Sequence, residues 1–165
     1  MFKVQFSAAT TEEFYAKLKE NATILLCAER DWLANSSNLA ALIGINMPQI
    51  NWAGFYLLHE DHLRLGPFWG LPACTRILLG QGVCGTAVVS GEPQLIDDVT
   101  LFEGHIACDA ATKSELVIPL KSCQGRILGV LDIDSPSLAR FTKDDLFGLT
   151  GVLDLLVAGS DWEPS

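Results

Sequence analysis

The chain has 165 residues, 49% of them hydrophobic, and carries 11 basic against 20 acidic side chains for a formal charge of -9. That length suits one domain able to bury roughly 70% of its unfolded surface without covalent staples, and the negative balance, with its basic residues scattered singly, excludes nucleic-acid phosphates and anionic membranes as partners. No uncharged apolar run approaches the ~18 residues of a membrane span, and the opening MFKVQFSAATTEEF lacks the apolar region of a signal peptide, so a cytoplasmic location with reduced thiols is expected.

Thr10 followed by Glu13 has the form of a capping box, and Phe14, Leu18, Leu25 and Leu26 recur at helical spacing, which predicts two N-terminal helices with Asn21 capping the second. A third short helix is expected over 37–43, ending near Gly44 and the turn at Asn46, Met47 and Pro48. INWAGFYLL and HLRLGPF then flank His59, Glu60 and Asp61 as a hairpin. ACTRILL follows as a strand, residues 82–90 as a short helix closed by Gly91, and 93–96 as a brief extended piece before a long loop, in which Asp97 and Asp98 are expected to cap or turn. SELVIPLKS and RILGVLDID flank Cys123, Gln124 and Gly125 as a second hairpin. Thr142 and Asp145 start a final helix whose apolar stripe is Leu146, Leu149, Leu153 and Leu156 or Val157. The order predicts one α+β domain over 1–165: helices at about 11–45, an antiparallel sheet with loops at about 49–134, and a C-terminal helix at about 142–158.

Three of the five cysteines, Cys74, Cys84 and Cys108, fall in one glycine- and carboxylate-rich stretch, which suggests redox chemistry or metal ligation. A metal could use Cys74, Cys84, Cys108 and His105, but the paired Cys-x-x-Cys spacing is missing, and neither a metal nor a cofactor is expected. Cys27, in a helical apolar pattern, and Cys123, at a hairpin turn, read as structural. In an alternating strand Asp132 and Asp134 share a face, roughly 6 to 7 Å apart, while Trp52 and Tyr56 share a face of the first strand. Spacing alone fits the two aromatics to a core at least as well as to a pocket. Phe68 and Trp69 are placed at the border of the same cavity. The segment from Gly80 to Gly85 opens a helix whose free N–H groups could receive a carboxylate.

The motifs NWAGFYLL, GPFWG, GVCGTAV, GHIACDAAT, SELVIPL and GVLDIDS, in this order, resemble the free methionine-(R)-sulfoxide reductases, which are built on a GAF fold; the resemblance runs over about 32–155. It implies a single GAF domain that reduces free methionine sulfoxide, R at sulfur, with thioredoxin as electron donor. It further implies that Cys108 is the attacking cysteine, Cys74 the principal resolving one and Cys84 a third able to join disulfide exchange. Glu115, Asp132 and Asp134 would line the substrate site, and Trp52 and Tyr56 would touch the substrate.

The chemistry needs a thiolate to attack sulfur, an acid to protonate the departing oxygen, and a second thiol to resolve the sulfenic acid. Asp109 beside Cys108 disfavours the thiolate. Backbone N–H groups of the 104–108 loop, His105 or a substrate ammonium could compensate, or a carboxylic acid held protonated near neutral pH could carry the burden by making the sulfoxide electrophilic. A non-catalytic GAF sensing module is the alternative reading, and action on peroxides or on oxidised methionine within proteins is a variant of the enzymatic one. The sequence leaves pairing into a homodimer open.

Overall fold

Two hairpins build the centre of the sheet. The first joins β1 (Trp52–His59) to β2 (His62–Gly70), and the second joins β5 (Ser114–Lys121) to β6 (Ile127–Ser135). β1 lies antiparallel to β6, so the hairpins meet side by side, and the short strands β3 (Arg76–Leu78) and β4 (Gln94–Ile96) close the two edges. The order is β3-β2-β1-β6-β5-β4, every pairing antiparallel. This computed structural model describes residues 4–104, 106 and 109–162.

Alternation along the strands assigns each side chain to one of two layers. Ala53, Phe55, Leu116, Ile118, Leu120, Leu131 and Ile133 face the helices α1 (Thr11–Leu26), α2 (Trp32–Asn46) and α4 (Lys143–Gly159), forming the larger core with residues such as Leu18, Leu39, Ile43, Leu149 and Leu156. Each such aliphatic side chain contributes about 1.5–3 kcal/mol by leaving water. The opposite face carries Trp52, Tyr56, Leu63, Val117 and Val130 and is covered by one short helix, α3 (Gly82–Ser90), through Val83, Cys84, Ala87 and Val88. One short helix leaves part of this face uncovered by regular structure, and Leu71 to Ala73, Ile106, Asp109 and Thr112 complete the cover.

The helices differ from expectation in two places. α1 is one continuous helix rather than two: Thr10 caps it by accepting from the Glu13 N–H, and Tyr15, Leu18, Ala22 and Leu26 form one buried stripe. Asn21 caps nothing; it sits mid-helix and its amide donates back to the Lys17 carbonyl at 2.8 Å. α2 begins five residues before the expected 37, capped by Asp31. Polar residues disguise its first turns: Asn35 and Ser36 are buried, the Asn35 amide donating to the Glu29 carbonyl and to the Ser160 hydroxyl at 2.9 Å and the Ser36 hydroxyl donating to the Trp32 carbonyl.

The remaining signals fall where the sequence puts them. α3 ends on Gly91 in the left-handed conformation that a glycine adopts without strain. α4 opens on a reciprocal capping box between Thr142 and Asp145, and Asp145 also accepts from the Tyr15 hydroxyl at 2.6 Å, tying α4 to α1. Asp98 caps the 3-10 turn at Val99–Leu101, the capping role expected of it. β3 is shorter than ACTRILL, leaving Ala73 and Cys74 in the loop before it. Among the described residues no helix is long and apolar enough to cross a membrane.

Candidate active site

Between α3 and the sheet lies a cavity lined by Trp52, Tyr56, Cys84, Glu115, Asp132 and Asp134, with Leu71 to Ala73, Gln81 to Val83, Ile106, Asp109 and Thr112 around its rim. Strand register brings the acids together. Glu115 on β5 stands opposite Asp134 on β6, Val117 opposite Asp132, and Trp52 and Gly54 on β1 oppose Asp134 and Asp132. Two adjacent strands, β5 and β6, thus deliver three carboxyl groups to one patch of one face, beneath the first turn of α3, from which Cys84 points down into the same cluster.

Burial dominates the electrostatics. Glu115 and Asp132 are only 6% and 7% exposed, Asp134 is partly exposed, and Cys84 is buried. Loss of water raises the pKa of all four groups well above its ordinary value, and mutual repulsion adds to it: Asp134 acts on Glu115, Glu115 on Asp132, Asp132 and Asp109 on Asp134, and the acids together on Cys84. No Lys, Arg or His stands among the described lining residues to restore the charged forms. Asp132 accepts a hydrogen bond from the Cys84 thiol and donates one to Glu115, yet its Oδ1 is buried with no partner among the described residues. Desolvation, more than any neighbouring charge, also raises the Tyr56 pKa, so the phenol stays neutral.

The aromatic wall is fixed by four contacts. Trp52 stacks on Tyr56 with ring centres 5.8 Å apart and on Phe68 at 5.4 Å. The Trp52 indole N–H donates to the Leu71 carbonyl at 3.1 Å, and the Tyr56 hydroxyl donates to the Cys74 carbonyl at 3.0 Å. These bonds pin the 71–74 loop to β1. Across the cavity, the Asn51 amide donates to Asp109 Oδ2 at 2.8 Å and more weakly to the Thr112 hydroxyl at 3.3 Å, tying the 109–112 segment to the start of β1. The bond from the Ala111 N–H, with that from Asn51 adding to it, holds the Asp109 pKa below the usual carboxylate range.

Trp52, Tyr56, Cys84, Glu115, Asp132 and Asp134 therefore share one cavity. Cys74 is half-buried beside it and disulfide-bonded, whereas Cys27, Cys84 and Cys123 are free thiols. Cys27 and Cys123 are exposed and away from the cavity. Cys108 and His105 lie outside the described residues, although Asp109, next in sequence to Cys108, lines the cavity wall. Of the two further aromatics, Phe68 joins the stack, but Trp69 does not border the cavity; it packs on the other face of the sheet against α2, where a side chain at Gly44 would come within 2.3 Å of its ring. Residue alternation puts these neighbours on opposite faces. Asn51 and Thr112 were not singled out from the sequence: a lone Asn before a strand and a Thr in a loop carry no local signal, and only the packing joins them.

An antiparallel sheet with helices on one face and, on the other, a ligand-sized hollow roofed by a short helix defines a GAF domain, and a GAF-domain profile matches residues 19–158. Over 92% of its length the chain is 49% identical to the free methionine-R-sulfoxide reductase of Escherichia coli, covering 93% of that protein. It superimposes on the free methionine-R-sulfoxide reductase of Neisseria meningitidis in complex with its substrate with a TM-score of 0.91 at 38% identity, covering 96% of this chain and 95% of that one. The reduced form of the Staphylococcus aureus fRMsr gives 0.85 at 46% identity over 88% of this chain and 94% of that one. The chain belongs to the free methionine-R-sulfoxide reductase family of oxidoreductases.

Proposed function

We propose that the protein reduces free methionine sulfoxide, R at sulfur, to methionine with its own thiols, and that thioredoxin restores them in a reducing, cytoplasmic compartment. The supporting observation is the convergence in one cavity of a buried acid cluster and a stacked aromatic pair, walled by Asp109 and Ala73, the sequence neighbours of Cys108 and Cys74. The roles of the cysteines are those that the resemblance to the family implies.

In this reading the Cys108 thiolate attacks the sulfoxide sulfur while a carboxylic acid of the Glu115, Asp132 and Asp134 cluster protonates the oxygen. The oxygen passes as hydroxyl from the methionine sulfur to the Cys108 sulfur, breaking the sulfoxide sulfur-oxygen bond, while the transient sulfur-sulfur bond breaks with its electron pair going to methionine, which leaves Cys108 as a sulfenic acid. The Cys74 thiol then displaces that hydroxyl as water and forms a disulfide, directly or after Cys84 has reacted first. Two thiols and one sulfoxide become one disulfide, one methionine and one water, and a thioredoxin dithiol regenerates the thiols by exchange. A cluster kept neutral by burial suits the acid role, because it retains its protons where an exposed carboxyl would lose them.

The same groups account for recognition of a free amino acid. With no cationic side chain among the described lining residues, a substrate ammonium supplies the missing positive charge to the acids. Its carboxylate fits the start of α3, where Gln81 provides no side-chain cap for the first N–H groups. Trp52 and Tyr56 face the sulfur end, where sulfur-aromatic contact is favourable. Gripping both charges excludes methionine within a peptide.

A single turnover of fully reduced protein on the R epimer without added reductant tests this. One methionine should form per two thiols lost. Cys108→Ser should abolish turnover and Cys74→Ser should allow one reduction and then stall, whereas a fully active Cys108→Ser protein overturns the assignment. An amide of the substrate should react much more slowly than the free acid.

A further inference from the structure

The segment 109–112 leads toward β5, and its two ends are held differently. Within it the Thr112 N–H donates to the Asp109 carbonyl at 3.2 Å and the Ala111 N–H to Asp109 Oδ1 at 2.8 Å, which closes a turn. Just beyond it the Lys113 N–H donates to the Ser135 carbonyl at 2.7 Å, joining this end to β6. Bonds inside the turn fix its shape but not where its N-terminal end stands against the sheet. Among the described residues the Asn51 amide does that, donating to Asp109 Oδ2 at 2.8 Å and turning toward the Thr112 hydroxyl at 3.3 Å. We propose that Asn51 is a positioning residue for the sulfoxide reduction: it holds Asp109 against the start of β1 and so sets the reach of Cys108, the preceding residue in the chain. This role rests on the reading of Cys108 as the attacking thiol.

Two observations give Asn51 this part rather than that of a packing residue. Its own backbone is anchored where the reaction would need it: the Asn51 N–H donates to the Asp134 carbonyl at 3.0 Å, and the next residue, Trp52, begins the aromatic stack. One stretch of backbone therefore relates the acid-bearing strand, the aromatic wall and the Asp109 turn to one another. The second observation is a cost. Asn51 Oδ1 is buried with no hydrogen-bond partner among the described residues. Turning the amide over would set that oxygen against the Asp109 carboxylate, so the bond to Asp109 dictates the orientation and leaves the acceptor orphaned. A side chain that only filled the space would carry no such penalty. The consequence for rate follows from geometry, because a displacement of about 1 Å at a reacting centre can cost about 100-fold. Cutting the bond frees one end of the turn while Trp52, Tyr56 and the acids keep their places, so the chemical step suffers more than substrate binding.

The test is single-turnover reduction of the free R sulfoxide by the full-length, fully reduced protein, compared among the parent, Asn51→Ala, Asn51→Asp, and Asn51→Asp combined with Asp109→Asn. Asn51→Ala should lower the saturating rate at least threefold and about tenfold, with a smaller change in the half-saturating substrate concentration. Asn51→Asp sets two carboxylates against each other and should be at least as slow. The combined exchange remakes the bond with donor and acceptor swapped, and the Thr112 hydroxyl can donate where it accepted, so this protein should be faster than Asn51→Asp alone. Asn51 loses the role if Asn51→Ala slows the saturating rate less than about threefold, if the half-saturating concentration changes as much as the rate, or if the exchange brings no recovery. A parent protein that forms no methionine removes the reductase reading and this role with it, whereas an active parent with an unaffected Asn51→Ala removes the role alone. Near-UV circular dichroism checks the folding of each variant, and the near-isosteric Asn51→Asp with its exchange partner decides the matter if Asn51→Ala does not fold.

Discussion

Gly54 sits between Trp52 and Tyr56 on the cavity face of β1, and its missing side chain is what lets the aromatic stack form. A Cβ built there would lie 2.4 Å from the Phe68 Cβ, 2.5 Å from the outer edge of the Trp52 ring and 2.9 Å from the Phe68 Cα. Ordinary contact begins at 3.4 Å, so Gly54→Ala must push Phe68 or β2 away by about 1 Å and tilt the Trp52 ring. Overpacking of this size costs about 1–3 kcal/mol, partly offset by the ~0.4–1 kcal/mol that alanine gains by restricting the unfolded chain. The net loss is then up to about 2.6 kcal/mol, a fall in Tm of up to about 10 °C for a chain of this size. Thermal melts followed in the near-ultraviolet should show both the lower Tm and a weaker aromatic signal, and the KM for methionine sulfoxide should rise. A variant with unchanged or higher Tm and an unchanged KM would refute the claim that the stack depends on the space at Gly54.

Two further outcomes follow from the packing and the buried acids. Glu115, Asp132 and Asp134 have raised pKa values in the folded protein, so above the unfolded carboxyl pKa of about 4 the native state holds more protons than the unfolded one. Their contribution to stability is therefore full below about pH 4 and is lost as pH rises toward their native values. Asp132→Asn should flatten that decline and raise stability at neutral pH, as read by urea unfolding at about pH 5 and about pH 8; an equal slope in both proteins would reject the burial argument. The lowered pKa values of Glu13, Asp61, Asp98 and Asp109 act in the opposite sense, but these groups lie at the surface, where solvent screens them. On α4, Gly151→Ala meets nothing nearer than the Lys19 amine at 4.0 Å and should stabilise by up to ~1 kcal/mol, whereas Gly148→Ala would place a methyl 2.2 Å from the Tyr15 ring and should lower Tm; a melt in which both move the same way would contradict the packing of α1 on α4.

Local chemistry made much of this molecule legible from its residues. The turns Glu60-Asp61 and Cys123-Gln124-Gly125 separate runs of β-forming residues, the Thr142 and Asp145 box marks the start of α4, and Gly91 marks the end of α3. These signals act within a few residues, so they survive without tertiary context. Where polar residues are buried with long-range partners the same reading fails, as at Asn35 and Ser36, whose hydrogen bonds to Glu29, Ser160 and their own helix hide the first turns of α2.

The sequence by itself determined the two central hairpins, α3 and α4, the family and which residues share a face: a period of two puts Asp132 with Asp134 and Trp52 with Tyr56 whatever the fold. Only the tertiary structure decided which face that is. Strand register set Glu115 against Asp134, α3 lowered Cys84 onto Asp132, and Trp69 went to the helices while its neighbour Phe68 joined the stack. The raised pKa values belong to this level too, because a carboxyl group's proton affinity depends on the water it loses and the charges it meets, and both are supplied by segments far apart along the chain.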